Sequence, residues 1–417
     1  MIPRLIPALV GACCLACGSP PPPGELVASS KQRITDPAPP ADLQAAVSGN
    51  TAFAADLYRA LDAEPGNVVF SPYSVTTALA MTYGGAKGDT AKAFETTLHL
   101  GLPSDRYHRA MNTLDRELRA RGQGAKGKDG KPFRLNVANQ LFGQKGFGFV
   151  PEFLDLLAIE YGAGMRLLDF VTESESARVA INAWVKGATE GLIPELLGQG
   201  SVGPLTRLVL VNTVYFNAAW AQTFNPRLTQ SGDFTLLDGS TKQVAMMAQE
   251  GISGAHAVVG TTEVIELPYD GQEVSMVLLV PQQGSFTAFE QELTGAELER
   301  HLAALQSNTF GVRMPKFDFK QHADLGAVLE GLGLAVAFSD AADFSGMSTT
   351  DKLAITGVVH EAVITTDEAG TEAAAATGVI VGTTSVPSYL EVNRPFVFLI
   401  RDRATNSVVF LGRVVDP

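Results

Sequence analysis

The chain has 417 residues, of which 46% are hydrophobic and 18% charged, and its formal net charge is −13. This composition supplies ample material for a folded core, and the excess of carboxylates argues against nucleic acid as a partner. All three cysteines lie within the first 17 residues, which excludes disulfides and thiolate metal sites from the rest of the chain.

The N-terminus carries the pattern of a secretion signal. Arg4 precedes an apolar run over residues 5–16, far shorter than the ~20 residues that cross a bilayer. Small residues that end at a cysteine resemble the lipobox of bacterial lipoproteins, with Cys17 as the preferred lipid-bearing residue and Cys13 as the alternative. Plain secretion after cleavage near Ala16 is the other interpretation.

We therefore assign residues 1–17 to a lipoprotein signal peptide. The expected location is the cell envelope after export across the inner membrane, with the lipid in the outer membrane or at the surface, and otherwise outside the cell. Residues 18–40 are Pro-rich and nearly free of large apolar side chains, which predicts a semi-extended tether. Because no similar break follows, residues 41–417 are predicted to form one domain.

Three helices are predicted in the first part of the domain from apolar residues at helical spacing. They cover residues 42–61, 90–98 and 107–120, and Asp89 is the predicted N-cap of the second helix.

Later segments rich in Val, Ile and Thr predict strands at residues 208–216 and 354–366. Residues 396–400 and 408–414 flank a short polar turn, which is a hairpin signal. Helices early in the chain and strands late indicate the α+β class.

No constellation of residues for catalysis is present. The chain lacks G-x-S-x-G and H-E-x-x-H motifs, and its six histidines show no ligand spacing. The pattern G-x-G-x-x-G occurs at Gly122 and at Gly198, but neither match follows a predicted strand and opens a helix. We expect no enzyme activity, no cofactor and no metal site.

Residues 367–385 form a long segment of small residues just before the last strands. Four consecutive alanines bury too little surface to anchor a core, but they suit a backbone that slides between existing strands. In an extended conformation alternate side chains share a face. One face would carry Thr371, Ala373, Ala375 and Thr377, and the other Glu372, Ala374 and Ala376.

This segment resembles the reactive-loop hinge of the serpins, a family of suicide inhibitors of proteases. Other matches to the family follow in the same order, from about Ala41 to the C-terminus. The matching segments are residues 67–90, 135–153, 181–197, 208–224, 358–377 and 392–417. The resemblance implies an α+β serpin fold with three β-sheets, eight to nine helices and an exposed reactive-centre loop. A monomer is expected.

The resemblance also assigns roles within the loop. The hinge comprises Glu368, Gly370, Thr371, Glu372, Ala373, Ala374, Ala375, Ala376 and Thr377. Counting forward from the hinge, and backward from residues 393–396, puts the reactive-site bond between Thr384 and Ser385. In the family the target protease attacks this bond and forms an acyl-enzyme. The cut loop then inserts into the central sheet, and the protease is trapped in a covalent complex.

The loop sequence predicts the class of target. No Lys or Arg occurs between Glu372 and Arg394, so a trypsin-like protease finds no side chain for its acidic pocket. Thr384 suits a small primary pocket, which predicts elastase-like or subtilisin-like serine proteases ahead of papain-type cysteine proteases. The alternative is a non-inhibitory serpin that acts as a binding or chaperone module.

Other matched positions have structural roles in the family. Ser71, Ser74, Asn212 and His360 correspond to the shutter, where polar groups cross-link the strands that must part. Trp220 matches the aromatic residue at the breach, where the loop first enters the sheet, with ordinary core filling as the alternative.

Basic residues cluster on and after the third predicted helix, which binds polyanions in some members of the family. A solvated helix face is the favoured interpretation and a polyanion site the alternative. The residues are Arg106, Arg109, Arg116, Arg119, Arg121, Lys126, Lys128 and Lys131.

Overall fold

The computed structural model of the protein describes residues 21–61, 66–371 and 389–417. Over these ranges the chain forms nine α-helices and sixteen strands. The helices are α1 Pro40–Leu61, α2 Pro72–Tyr83, α3 Gly88–Thr97, α4 Ser104–Ala120, α5 Pro151–Leu156, α6 Ser174–Ala188, α7 Phe286–Glu292, α8 Gly295–Ala304 and α9 Gly326–Leu329. A π-helical turn, Leu157–Tyr161, continues directly from α5.

The strands begin at the N-terminal segment and end at the C-terminus. They are β1 Glu25–Val27, β2 Val68–Phe70, β3 Arg134–Gln144, β4 Met165–Leu168, β5 Leu208–Ala219, β6 Gln230–Thr235, β7 Thr241–Val259, β8 Thr262–Pro268, β9 Val274–Val280, β10 Gln306–Pro315, β11 Phe317–Asp324, β12 Gly357–Thr366, β13 Gly370–Thr371, β14 Tyr389–Glu391, β15 Phe396–Asp402 and β16 Val408–Val414.

Seven of these strands form the central sheet, in the order β1-β4-β3-β5-β13-β12-β11. Strands β5 and β12 run parallel and pair directly from Val209 and Gly357 to Val214 and Ala362. At the far end of both strands the two-residue strand β13 lies between them. The central sheet is therefore closed along most of its length and parted at one end.

The remaining nine strands join through the 19-residue strand β7. The first part of β7 pairs with β6, and its last part pairs with β8. β10 pairs antiparallel with β7, and the register of this pairing shifts between Phe310 and Val312, where the ladder bends. The nine-stranded network can be divided into two halves at β7. These two halves and the central sheet make up the three sheets that the resemblance implies.

The core lies between the sheets and the early helices. Every residue of β9, β15 and β16 is buried, and most of their residues are apolar. A second, smaller cluster lies on the other face of the central sheet, where Ile181, Trp184 and Val185 of α6 pack on Val209 and Val211. Both faces of the central sheet are thus covered by apolar side chains.

The predicted elements of the domain are present, with small differences at their ends. The predicted helices correspond to α1, α3 and α4, and the strands and hairpin to β5, β12, β15 and β16. The prediction of Asp89 as an N-cap is wrong, because α3 begins at Gly88 with Lys87 as the capping residue. Asp89 instead lies in the first turn, where its charge suits the helix dipole.

The Pro-rich segment is extended, but the prediction of a tether separate from the domain is wrong for residues 24–38. β1 pairs antiparallel with β4 and becomes the outer strand of the central sheet. Further along, the Ile34 N–H donates to the Ile159 carbonyl at 2.9 Å. The few apolar and basic residues of this segment find partners on the domain, which the proline content does not reveal.

Residues 1–20 lie outside the described residues, and with them the predicted signal peptide and Cys17. Within the part of the chain that the structure describes, no helix combines the length and apolar character needed to cross a bilayer.

Candidate functional site

The candidate site is the gap between β5 and β12 and the hinge segment that enters it. Gly370 pairs with Ala219, while Thr371 pairs with Ala218 on one side and with Thr366 on the other. The start of the hinge is therefore already a strand of the central sheet. The predicted hinge residues from Glu372 to Thr377 and the predicted reactive-site bond Thr384–Ser385 lie outside the described residues.

Gly370 is required at this position for two reasons. Its φ is +155°, a backbone conformation that L side chains rarely adopt. A Cβ here would also lie 2.1 Å from the Ala218 carbonyl oxygen, a distance that no side chain tolerates. The glycine lets the chain turn sharply from β12 into the gap.

Thr371 is held on the core side of the gap. Its side chain is 2% exposed, and its Oγ1 lies 2.7 Å from the Tyr269 hydroxyl. The Tyr269 ring stacks on Trp220 with the centroids 4.6 Å apart. The space that receives Thr371 is a small polar niche with aromatic walls, which suits a short hydroxyl side chain.

Trp220 contacts the backbone of the hinge directly. Its indole N–H donates to the Asp367 carbonyl at 2.9 Å, and its backbone N–H donates to the Ala369 carbonyl at 3.0 Å. The ring is also 3% exposed, so it fills the core as well as positioning the hinge. Both the breach interpretation and ordinary core filling are compatible with this position of Trp220.

Two lysines bind Asp367 and Glu368 at the start of the hinge. Lys316 Nζ lies 2.6 Å from Glu368 Oε1, which also accepts from the Thr229 hydroxyl at 2.7 Å. Burial alone would raise the pKa of Glu368, but the hydrogen bonds from Lys316 and Thr229 outweigh it, and the pKa is lowered. Lys128 Nζ lies 2.9 Å from Asp367 Oδ2. These pairs fix the point from which the loop departs.

The shutter residues lie farther down the same gap. His360 of β12 is directly opposite Asn212 of β5, with Nδ1 2.6 Å from Asn212 Oδ1. The Ser71 backbone N–H donates to His360 Nε2 at 3.0 Å, so the ring proton must be on Nδ1. Asn212 and His360 thus cross-link the two strands that flank the gap.

The helix behind the sheet completes this network. Ser71 caps α2, and its Oγ accepts from the Ser74 N–H at 3.2 Å and donates to the Val409 carbonyl at 2.6 Å. Ser74 Oγ lies 2.8 Å from Asn139 Oδ1 on β3, which is in register with Asn212. All four predicted shutter residues are brought together, and Asn139 belongs to the same hydrogen-bond network.

Comparison with known proteins identifies the architecture. The model of the family described as "Serpin (serine protease inhibitor)" matches residues 48–417. The leukocyte elastase inhibitor of Bos taurus is 38% identical over 382 residues, covering 89% of this chain and 99% of that protein.

The chain belongs to the serpin family.

Two further relatives show how the similarity extends. The human leukocyte elastase inhibitor is 36% identical over 387 residues, covering 89% of this chain and 99% of its own. The structure of human thyroxine-binding globulin complexed with thyroxine superposes with a TM-score of 0.79 at 31% identity, covering 90% of this chain and 99% of that one. This serpin therefore has relatives named as inhibitors and a relative named as a binding protein.

Several residues at the hinge of this serpin were missed by sequence analysis. Tyr269, Thr229 and Lys316 carry no local motif, because their partners lie between 52 and 139 residues away in the sequence. Lys128 was placed in the basic cluster, but its side chain is buried against Asp367.

The basic cluster is largely compensated by carboxylates. Arg109 pairs with Glu160 at 3.0 Å, and Arg121 pairs with Asp402 at 2.6 Å. Six of the eight residues form such ion pairs, namely Arg106, Arg109, Arg119, Arg121, Lys128 and Lys131. This pairing argues against a polyanion site, and it shows that the favoured alternative, a helix face carrying solvated charges, overlooked the ion pairs.

Acid should weaken the shutter through His360. Burial lowers the pKa of His360 to about 4, below its value of 6.5 in an exposed chain. The unfolded state therefore binds an extra proton between these two values, and native stability falls as the pH drops from 6.5 to about 4. The expected loss from this group is at most about 3 kcal/mol.

The measurement is the denaturation midpoint of wild type and of His360→Gln at pH 7 and pH 4. Glutamine offers an acceptor for Ser71 and a donor for Asn212 but does not titrate, so the variant should show a flatter pH profile. The matched control is His322→Gln, whose ring is half exposed and lies 3.1 Å from Glu361. Equal pH profiles for wild type and His360→Gln would show that His360 is not the responsible group.

Proposed function

We propose that this serpin is a suicide inhibitor of serine proteases with small primary pockets, elastase-like or subtilisin-like. The observation that carries the proposal is the position of β13. Gly370 and Thr371 already pair with β5, and Thr371 with β12, at the end where the sheet is parted. The residues that follow, from Ala373 to Ala376, are small enough to continue the same strand.

The register of β13 predicts where the inserted loop would end. Each step forward along the loop moves one residue back along β5, since the two run antiparallel. The register that pairs Thr371 with Ala218 would pair Val381 with Leu208, where β5 begins. The loop is therefore long enough to fill the gap before the proposed cleavage point at Thr384 is reached.

The same register places Thr377 opposite Asn212, so insertion has to separate Asn212 from His360. The shutter bond would then be replaced by backbone pairing to the new strand. About a dozen added residues bring about as many backbone hydrogen bonds, at about 1 kcal/mol net each. Insertion would release on the order of 10 kcal/mol, comparable with the ~5–15 kcal/mol stability of a typical protease.

Two observations support the target class. No Lys or Arg occurs between Glu372 and Arg394, and the side chain of Thr384 would occupy the primary pocket of the protease. Relatives 36–38% identical to this chain are named leukocyte elastase inhibitors.

The test is incubation with elastase, subtilisin and trypsin, followed by a denaturing gel and mass spectrometry of the released peptide. We expect an SDS-stable complex with elastase or subtilisin and cleavage after Thr384. Thr384→Arg should transfer inhibition to trypsin, and Thr384→Val is the matched control that should not. Inhibition of trypsin alone by the wild-type chain would refute the assignment.

A non-inhibitory role as a binding module is the alternative, since two similar structures are of thyroxine-binding globulin in complex with thyroxine. Such a protein would be cut within the loop by elastase or subtilisin without forming a stable complex. The same gel distinguishes the two functions.

We propose further that a lipid on Cys17 anchors the protein to the cell envelope. The proposal rests on the N-terminal sequence, in which small residues precede the cysteine and Gly18 follows it. Globomycin, which blocks lipoprotein signal peptidase, should cause the precursor to accumulate in expressing bacterial cells. Normal maturation in its presence would contradict the proposal, and Cys17→Ser and Cys13→Ser would separate the two candidate cysteines.

A further inference from the structure

We propose that residues 24–38, the N-terminal strap, act as a clamp that slows opening of the central sheet, with Arg33 as its main attachment. Only the inhibitory readout of this proposal rests on the insertion mechanism proposed above. The strap itself is defined by its contacts in the uncut protein.

One end of the strap is a strand of the central sheet. Glu25, Leu26 and Val27 pair with Leu167, Arg166 and Met165 of β4. β4 pairs with β3, and β3 pairs along ten residues with β5. The strap is therefore joined through a continuous ladder to one of the two strands that must part.

The other end of the strap is attached to α4 and to the π-helical turn Leu157–Tyr161. Arg33 Nη2 lies 2.8 Å from Asp115 Oδ2, and Arg33 Nε donates to Asn112 Oδ1 at 2.8 Å. The Arg33 side chain is 22% exposed, so these bonds are partly shielded from water. The Ala38 N–H adds a bond to Thr113 Oγ1 at 2.7 Å.

The acceptor of Arg33 also contacts the helix that carries the shutter. The Tyr73 hydroxyl donates to Asp115 Oδ1 at 2.9 Å, and the Tyr73 ring is buried. Tyr73 lies in the first turn of α2 between Ser71, which contacts His360, and Ser74, which contacts Asn139. Arg33 is thus linked to the shutter through Asp115, Tyr73 and one helical turn.

These two attachments give the strap its effect. If β5, β3 and β4 move together away from β12, the strap must either release Arg33 or pull on α4. β13 already occupies the parted end of the gap. Further insertion is therefore resisted by the direct pairing of β5 with β12 and by the contacts that hold these two strands in place. The strap holds one edge, and it should therefore oppose insertion of an uncut loop.

The experiment uses the full mature chain with Arg33→Gln, compared with Lys31→Gln as the matched control. Lys31 lies in the same strap and pairs with Asp155, but its side chain is 57% exposed, so its loss should have little effect. Asp115 keeps its 2.7 Å pair with Arg119 in the Arg33→Gln variant, which preserves the fold.

Hydrogen–deuterium exchange should show faster exchange in Arg33→Gln at the strap, at β4 and at the β5–β12 gap. During mild heating, the uncut variant should lose trapping activity about tenfold faster than wild type, which corresponds to about 1.4 kcal/mol. Arg33→Lys should recover part of the difference, because it restores the charge opposite Asp115 but not the bond to Asn112.

Equal rates and equal exchange in wild type, Lys31→Gln and Arg33→Gln would overturn the proposal. So would faster exchange confined to the strap, with no change at the β5–β12 gap, because the strap would then be attached without being coupled to the sheet. If the wild-type chain traps no protease at all, the proposed function fails, and exchange at the gap still decides the role of the strap.

Discussion

Replacing Thr371 by arginine will turn the protein from an inhibitor into a substrate. The Thr371 side chain is 2% exposed and occupies the niche formed by Tyr269 at the parted end of the sheet. A guanidinium in this position would lose its hydration beside the buried Tyr269 hydroxyl, at a cost of several kcal/mol. The variant hinge should therefore leave the gap and have to enter it again after cleavage.

The effect should be large because, in the proposed mechanism, trapping depends on the relative rates of two steps. The cut loop must insert before the protease completes hydrolysis of the acyl-enzyme, and each 1.4 kcal/mol added to the barrier slows insertion about tenfold. We therefore expect the yield of SDS-stable complex to fall by at least about tenfold, with cut inhibitor as the product. A densitometric comparison of complex and cut chain measures this partition.

The matched control is Thr371→Ser, which keeps both the small volume and the hydroxyl that contacts Tyr269. It should trap as well as the wild-type chain. If Thr371→Arg forms complexes at full yield, the loop does not enter the gap at this point and the insertion mechanism is wrong for this protein.

The hinge could be predicted from sequence because its requirement is compositional. A strand that enters an existing sheet needs small, uncharged side chains, and the four residues from Ala373 to Ala376 meet this requirement. The shutter residues were predicted by resemblance, and the fold brings Ser71, Asn212 and His360 together from segments more than a hundred residues apart. Periodicity alone gives no signal for such a contact.

The partners of the hinge could not be predicted, because their roles come from long-range packing. Lys128 follows a basic helix and looks solvated in the sequence, yet its side chain is buried beside Asp367. The contacts of the strap with the domain were missed because prolines dominate the composition of residues 18–40, which favours a free tether. The residues that attach it, such as Arg33, are few, and their acceptors lie on α4.

Local signals were sufficient for the longer elements and insufficient for the connections between sheets. The hairpin of β15 and β16 and the helix α4 follow from patterns within short windows. Strand β7 instead joins the two halves of the nine-stranded network, because it pairs with β6, β8 and β10. No single-strand pattern carries that information, since it depends on which remote segments pack alongside.

Cutting the reactive loop without trapping should raise the melting temperature of this serpin. In the uncut protein Gly370 and Thr371 pair with β5, and β5 pairs directly with β12 from Val209 to Val214. Release at Thr384 would let the strand extend to the start of β5, adding on the order of 10 kcal/mol of backbone pairing. For a domain of this size that corresponds to a rise on the order of 10 °C or more.

The measurement is thermal unfolding before and after complete cleavage by a protease that cuts the loop but is not retained. Thr371→Arg provides the matched control, since a cut loop that cannot insert should leave the melting temperature near that of the uncut chain. An unchanged melting temperature for the cut wild-type chain would mean that the uncut fold stores no energy. The loop would then be only a cleavage site, and trapping would need another source of work.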